Sequence, residues 1–135
     1  MYPENTLAAI ERSAPNVDAA EIDVLRCGTG ELIAFHDRNL ERVTGYDGAV
    51  DQTPWNRINQ LTVFDSGEPI PRLESLADAW PSDLAVNIDV HQPGIASEAV
   101  EAFAGHDERI LLSSTSTEVI AEVGYRPYVQ TRLSI

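Results

Sequence analysis

Apolar residues along this chain follow two patterns, one typical of strands and one typical of helices, and stretches of the two patterns alternate. Residues 19–25 and 84–90 are short runs rich in Ile, Val and Ala, which are typical of strands, and residues 31–36 and 109–113 have the same character. Between these runs, apolar residues recur every three to four positions, which predicts helices. The alternation of strand and helix predicts a single α/β domain over residues 1–135 with a mainly parallel sheet.

The predicted helices carry start and stop signals. Asn5 or Thr6 can cap a helix that runs to residue 14 and ends before Pro15. Thr53 and Pro54 favour a second start, with Thr as the cap and Pro in the first turn. The remaining predicted elements are a helix over residues 73–80, a helix over residues 95–104 stopped by Gly105, a short helix capped by Ser116 or Thr117 and ending at Gly124, and a last strand beginning at Tyr128.

One connection departs from the alternation. Only 13 positions separate Asp23 from His36, which is too few for the end of a strand, a crossover helix and a new strand. We therefore expect a turn through residues 26–30 without a helix. If Asp23 and His36 face one pocket, the chain must run down one strand and come back along the next.

Charge and composition narrow the classes of function. The formal net charge is -13, and no basic stripe is present to neutralise phosphates, so nucleic acid is excluded as a partner. No apolar run reaches 18 residues and no signal peptide opens the chain, so we expect a cytoplasmic protein without a membrane span. The single Cys27 cannot form an internal disulfide, which fits a reducing interior.

All nine basic residues are Arg, and the chain has no Lys. An acidic surface without Lys is typical of salt-adapted proteins of halophilic archaea, because molar salt shortens the Debye length to about 3 Å and screens the self-repulsion. We expect such an adaptation here. An ordinary acidic protein is the alternative.

The candidate chemistry starts with two carboxylates. Glu21 and Asp23 are two positions apart in a predicted strand, so they point to the same face. Such a pair resists burial unless a positive charge lies between the two, and a hard divalent cation is the natural candidate. His36 follows the next apolar run and has the side chain best suited to proton transfer near neutral pH. The alternatives are two solvated acids on an edge strand and a histidine hydrogen-bonded by its neighbour Asp37.

A second same-face group ends the strand over residues 84–90. Asn87, Asp89 and His91 alternate along it, and the carboxyl ends of strands are where α/β barrels keep their catalytic residues. The alternative is that Asp89 caps the following loop and His91 is solvated. We interpret His106 and Asp107 as part of a loop.

Several short motifs in this order resemble the glycerophosphodiester phosphodiesterase family. The resemblance covers nearly the whole chain, and the joint occurrence of the motifs is highly specific although each alone is weak. The matching segments are Pro3-Glu4-Asn5-Thr6, Glu21-Ile22-Asp23-Val24, Gly30-Glu31-Leu32 leading to His36-Asp37, Leu40-Glu41-Arg42-Val43-Thr44, Ile70-Pro71-Arg72-Leu73-Glu74, Asn87-Ile88-Asp89-Val90-His91 and Ile110-Leu111-Leu112-Ser113-Ser114.

The resemblance implies a TIM-type barrel that hydrolyses glycerophosphodiesters to glycerol phosphate and an alcohol with the help of a divalent cation. It implies that Glu21, Asp23 and Asp89 are metal ligands and that His36 is one of two histidines that share the acid and base work. Asn87 and His91 are expected to contact the substrate. The all-oxygen ligand set favours Mg²⁺ or Ca²⁺, with Mn²⁺ also compatible.

The sequence also departs from the family pattern. The family has a His-Arg-Gly motif shortly before Pro-Glu-Asn-Thr, whereas this sequence starts at Met1-Tyr2-Pro3 without that motif. Asp89 and His91 stand where the family has Glu and Lys. A complete barrel needs about 250 residues, so we expect a partial barrel of roughly strands two to six of eight, truncated at both ends. We expect little activity from it alone and self-association through its open edges. The alternatives are a non-catalytic metal- or phosphate-binding remnant and a related phospholipase D-like phosphodiesterase.

Overall fold

The computed structural model describes residues 4–104, 110–124 and 129–134. They contain a five-stranded sheet with the spatial order β2-β1-β3-β4-β5. Strand β1 pairs antiparallel with β2, and the pairs β1–β3, β3–β4 and β4–β5 are parallel. The predicted mainly parallel α/β arrangement is confirmed. The strands are β1 (Ala19–Arg26), β2 (Leu32–Ala34), β3 (Ala85–Val90), β4 (Ile110–Ser114) and β5 (Val129–Leu133).

The helices are short, and most of them begin close to the predicted positions. Thr6 caps the first helix, because its side chain accepts a hydrogen bond from the Ala9 amide at 3.2 Å, and Ser116 caps the last one in the same way through Val119. The helices are α1 (Leu7–Ser13), α2 (Glu41–Thr44), α3 (Trp55–Ile58), α4 (Leu73–Asp78), α5 (Ala96–Phe103) and α6 (Thr117–Val123), with 3₁₀ turns at Ala14–Asn16 and Val50–Gln52.

The connection between β1 and β2 is a hairpin, as the short spacing predicts. Val24 pairs with Ala34 and Arg26 with Leu32 in antiparallel register. The turn is closed by the Cys27 amide, which donates to the Glu31 carbonyl at 2.9 Å. Beyond the hairpin, the Phe35 amide donates to the Asp23 carbonyl at 2.9 Å. The returning chain therefore brings His36 alongside Asp23.

Two apolar clusters cover the sheet. The larger one lies between the sheet and helices α4, α5 and α6, and it includes Ile22, Ile88 and Phe103, all fully buried. The smaller one contains Leu25, Ile33 and partners from residues 40–70, which fold as a lobe over the far end of the hairpin. Burial of these side chains is the main stabilising term for both clusters. The first cluster takes one face of the central strands and leaves their other face for polar residues.

Two details of the prediction were wrong. Thr53 does not cap α3: its hydroxyl donates to the Ala49 carbonyl at 2.6 Å, and Pro54 holds the cap position without a side-chain bond. The spacing of Trp55, Ile58 and Leu61 favours a helix that includes Leu61, but α3 ends at Ile58. Helix α2 was not predicted, because four residues carry no periodic signal. The expectations for Gly105, His106-Asp107, Arg109 and Tyr128 concern positions outside the described residues. Within the described part of the chain, no helix has the length and apolar character needed to span a bilayer.

Candidate active site

Polar side chains gather on the open face of β1, β3 and β4. In the parallel register, Glu21 lies beside Asn87, Asp23 beside Asp89, and Asp89 beside Ser113. Residues that pair directly across neighbouring strands point to the same face. The buried residues Ile22 and Ile88 alternate with them and point to the helices. The sheet therefore brings the two same-face groups predicted from sequence onto one surface.

Asp89 is held at the centre of this surface. One of its carboxylate oxygens, Oδ1, accepts a hydrogen bond from Ser113 Oγ at 3.1 Å, and Ser113 also lies 3.0 Å from Asn87 Oδ1. The other oxygen, Oδ2, is 2.9 Å from Nε2 of His91. These contacts fix the orientation of the carboxylate.

Asp23 is held by the N-terminal segment. Nδ2 of Asn5 donates to Asp23 Oδ2 at 3.2 Å, and the Asp23 amide donates to Asn5 Oδ1 at 2.9 Å. Asn5 adopts a left-handed backbone with φ of 57°, a conformation that Asn tolerates better than most residues. Asn5 is thus used to position Asp23, while the neighbouring Thr6 caps α1.

Burial, together with neighbouring carboxylates, disfavours the charged forms of Glu21 and Asp23. Burial raises the pKa of Glu21 above its usual value, and repulsion from Asp23 and Asp89 raises it further. Burial also raises the pKa of Asp23, while the hydrogen bond from Asn5 opposes the change. A cation bound between the carboxylates would relieve both effects.

The donor set fits a divalent cation. Ligand atoms of Asp23, Asp89 and His91 all lie within 4.8 Å of one another, a separation that one ion can bridge. Glu21 lies outside this group and is joined to it through Asn87 Nδ2, which is 3.4 Å from Glu21 Oε2. The structure thus brings together two of the three predicted ligands and adds His91 to them.

His36 lies at the margin of the same surface, directly after β2. Its Nδ1 is 2.8 Å from Asp37 Oδ1. Hydrogen bonds from Arg42 hold the pKa of Asp37 at about 2, so at neutral pH Asp37 is an anion that can only accept a hydrogen bond. Nδ1 must therefore carry the hydrogen, which leaves Nε2 for a reacting group. The contact with Asp37 and the charge of Asp23 raise the pKa of His36 above its usual value.

Comparison with known proteins places this geometry in a family. Residues 1–122 match the model of the Glycerophosphoryl diester phosphodiesterase family. The chain belongs to this family. A glycerophosphodiester phosphodiesterase of Caldanaerobacter subterraneus is 31% identical over 127 residues, covering 83% of this chain and 52% of the relative. A probable glycerophosphodiester phosphodiesterase 2 of Mycobacterium tuberculosis is 33% identical over 108 residues, covering 79% of this chain and 39% of the relative.

Solved structures of glycerophosphodiester phosphodiesterases share the fold. A phosphodiesterase of Oleispira antarctica in complex with the product sn-glycerol-3-phosphate has a TM-score of 0.81 at 27% identity, covering 96% of this chain and 59% of that one. The enzyme of Thermotoga maritima has a TM-score of 0.82 at 20% identity, covering 98% and 57%. These neighbours are TIM barrels. The chain spans about half the length of the relatives that it matches, and its five strands form part of such a barrel.

Three residues that the structure places in the candidate site were assigned no role there from the sequence alone. Ser113 and Asn5 hold the carboxylates, and Arg132 pairs with Ser113 in register and therefore lies on the same face. The charge of Arg132 acts on Glu21 against the upward shift of its pKa. The alternation of Gln130 with Arg132 in the predicted last strand is a signal that could have pointed to it.

An open groove of about 700 Å³ lies elsewhere, between the hairpin turn, α4 and α5. Glu21, Asp23 and Asp89, which together with Asn87 and Ser113 form the carboxylate surface, do not line this groove. Its walls carry several acidic side chains, including Glu31, Glu74 and Glu98. The candidate site of this glycerophosphodiester phosphodiesterase family member is therefore on the open face of the sheet and not in this groove.

Proposed function

We propose that this surface is part of a site that hydrolyses glycerophosphodiesters to glycerol phosphate and an alcohol. The observation that carries the proposal is the convergence of Glu21, Asp23 and Asp89 on one face, with His36 at its margin, in a member of this family. A solved neighbour at 27% identity binds sn-glycerol-3-phosphate as its product. That relation and the chemistry of the side chains support the proposed substrate class.

The residues that would hold the cation are Asp23 and Asp89, with His91 or Glu21 as the third ligand. When bound, a divalent cation supplies positive charge that polarises the phosphodiester and neutralises the charge developing on it. Oxygen ligands favour Mg²⁺ or Ca²⁺, and the nearby imidazole of His91 is also compatible with Mn²⁺. Ser113 and His91 hold Asp89 from two sides, so the carboxylate keeps its direction.

His36 is the proton carrier of the proposal. With its Nδ1 hydrogen donated to Asp37, Nε2 can take a proton from an attacking hydroxyl or give one to a leaving oxygen. The neighbouring carboxylate also stabilises the protonated imidazole that would form. Arg132 and Asn87 face the same surface, and His91 contacts Asp89 there. These three residues are the proposed contacts to the substrate.

The test separates cation binding from turnover. Calorimetric titration with Mg²⁺, Ca²⁺ and Mn²⁺ is expected to show binding to the wild type and a loss of at least about tenfold in Asp89→Asn. Asp78→Asn, a change of the same chemistry on α4, is the matched control and should bind normally. Equal binding by Asp89→Asn and the wild type would refute the proposed ligand set.

Hydrolysis of glycerophosphocholine with and without a chelator then tests the reaction. Any turnover should depend on the cation and be lost in His36→Gln, while cation binding by that variant is retained. Binding without turnover in the wild type would support a non-catalytic metal-binding function for this stretch of chain. Turnover that survives the chelator would contradict the proposed role of the carboxylates.

We also infer a setting of high salt. The support is the net charge of -13 combined with nine Arg and no Lys. Salt screens such self-repulsion, so the thermal midpoint should rise as KCl increases from millimolar to molar concentration. A midpoint that falls over this range would contradict the inference.

The exposed edge of β5 is the proposed place of self-association. The β2 edge is already engaged, since the Ala34 amide donates to the Pro71 carbonyl at 3.1 Å. On the other side, β5 is the last strand of the described sheet. An unpaired edge is a template for pairing with another chain.

A further inference from the structure

Arg42 makes an unusual number of contacts for an exposed side chain. Its Nε donates to Asp37 Oδ2 at 2.6 Å, and one terminal nitrogen donates to Asp37 Oδ1 at 3.0 Å. The same terminal nitrogen donates to Glu4 Oε2 at 3.0 Å. The guanidinium also lies over the ring of Phe64, 5.5 Å from its centre. Such a two-point contact with one carboxylate fixes geometry in a way that a single ion pair does not.

The four contacting groups come from four separate segments. Glu4 precedes α1, Asp37 follows β2, Arg42 lies on α2, and Phe64 lies in the loop after α3. An ordinary surface ion pair contributes at most about 1 kcal/mol and does not justify such an arrangement by its stability alone. The four segments meet at Arg42, and Asp37 connects them to His36.

The loop that carries Phe64 is shaped to place the ring over Arg42. Phe64 and Asp65 both have left-handed backbones, with φ of 47° and 57°. For residues other than glycine this conformation is uncommon and costs of order 1 kcal/mol or more. The Phe64 amide donates to the Val43 carbonyl at 2.8 Å, which ties the loop to α2. Such strain persists where surrounding contacts determine it.

One carboxylate oxygen connects Arg42 to His36. Asp37 Oδ1 accepts from Arg42 at 3.0 Å and lies 2.8 Å from His36 Nδ1. Without Arg42, Asp37 is free to rotate, because it has one bond to its own neighbour and no other fixed partner among the described contacts. With Arg42, both oxygens are held, and the oxygen that faces the imidazole keeps its position.

We propose that Arg42 is a positioning residue for His36, which acts through Asp37 to keep the imidazole in the tautomer with hydrogen on Nδ1. Arg42 itself does not touch the carboxylate surface in this arrangement. The role rests on the proposed function of His36, since positioning matters only if Nε2 transfers a proton. The tautomer itself can be measured whether or not the chain turns over substrate.

The experiment is NMR of the imidazole nitrogens at a pH where His36 is neutral, with the signal assigned by its loss in His36→Gln. The wild type should carry hydrogen on Nδ1. Arg42→Gln should shift His36 towards the Nε2–H form that neutral imidazole prefers in water. Arg42→Lys keeps the charge but cannot bind Asp37 at two points, so it should shift in the same direction.

Arg57→Gln is the matched control. Arg57 also stacks on an aromatic ring, that of Tyr46 at 5.2 Å, but has no contact with His36 or Asp37 among the described contacts. In Arg57→Gln, the tautomer signal of His36 should equal that of the wild type. If circular dichroism shows that Arg42→Gln is misfolded, the tautomer of His36 in Arg42→Lys tests the proposal instead.

Retention of the Nδ1–H form in folded Arg42→Gln or Arg42→Lys would overturn the proposal. If the chain turns over glycerophosphocholine, Arg42→Gln should also lower kcat about tenfold or more with a smaller change in KM, because the imidazole is misplaced. A tautomer shift in a chain without turnover would support the positioning role and count against the proposed function.

Discussion

The two edges of the sheet differ in how far their residues are buried. At the β2 edge, Ile33 is fully buried and bridges to Arg72, and the lobe of residues 40–70 packs around it. At the β5 edge, Leu133 is 48% exposed, and four of the five strand residues are exposed. Both edges carry functional candidates, His36 at the first and Arg132 at the second. Among the described residues, the side of the surface near His36 is packed and the side near Arg132 is exposed.

This difference matters for chemistry. A proton carrier must be held within a fraction of an ångström of its target. His36, the proposed carrier, lies on a packed edge with Asp37 and Arg42 behind it. A charge that attracts an anionic substrate acts over a longer range and tolerates motion. Arg132 on the exposed strand suits that second task.

The largest expected effect comes from truncating matched side chains at the two edges. Ile33→Ala removes a fully buried side chain and should lower the free energy of unfolding by about 2–5 kcal/mol. Leu133→Ala removes an exposed side chain and should change it by no more than about 0.5 kcal/mol. Urea unfolding of the two variants measures both values. Equal losses would show that the β5 edge is covered in solution.

A smaller effect is expected from adding one methyl group at the hairpin turn. A Cβ on Gly28 would lie 2.9 Å from the Thr53 amide nitrogen and 3.0 Å from the Gln52 carbonyl carbon. Gly28→Ala should therefore cost about 1–3 kcal/mol, because the hairpin must move away from the lobe. Ser134→Ala beside β5 is the control and should be near neutral. A neutral Gly28→Ala would mean that the lobe is loosely docked.

The next prediction compares how pH changes the stability of the protein through Asp23 on the carboxylate surface and through Asp37 at the β2 edge. Since the pKa of folded Asp23 is raised, the stability of the metal-free protein should fall as pH rises through the unfolded and then the folded pKa. Asp23→Asn should remove this loss and stabilise the metal-free protein at pH 7 by about 1 kcal/mol or less.

Asp37 should show the opposite behaviour. Its folded pKa of about 2 lies below the unfolded value of about 3.9, so its stabilising contribution is present above pH 4 and is lost as pH falls towards 2. Asp37→Asn should therefore destabilise the protein slightly at pH 7. Thermal unfolding in chelator at several pH values measures both variants, and changes of the same sign would contradict the contrast.

The smallest effect on folding is expected at the open edge itself. Thr131→Lys places a charge on exposed β5 and should change the unfolding free energy by no more than about 0.5 kcal/mol. It should nevertheless weaken association through that edge, because a charged edge resists strand pairing. Sedimentation at increasing protein concentration tests this. Association that is unaffected by the substitution would place the contact elsewhere.

Most of the sheet could be predicted from sequence. Period-two runs predicted β1 with Glu21 and Asp23 on one face, and β3 with Asn87 and Asp89 on one face, and the 13-position spacing predicted the hairpin. These signals are local, so no knowledge of the fold was needed. Helix α2 was missed because it depends on packing of Val43 in the smaller apolar cluster.

The supporting contacts of the site could not be predicted in the same way. Ser113 reaches Asp89 only through strand register across 24 positions, and Arg42 reaches Glu4 across 38. His91 stands with Asp23 and Asp89 in the group of possible ligands, while sequence reasoning placed Glu21 there. Which of these residues bind a cation stays a prediction.

The hairpin also has a consequence for the order in which the site forms during folding. Asp23 and His36 are joined by a loop of 13 positions, whereas Glu21 and Asn87 meet across 66. Closing the shorter loop costs less chain entropy, and hairpins form within about 1–10 μs. Contacts between distant strands form more slowly. We therefore expect the neighbourhood of His36 to take shape before Asp89 of β3 arrives, so that the proposed proton carrier is in place before the proposed cation site is complete.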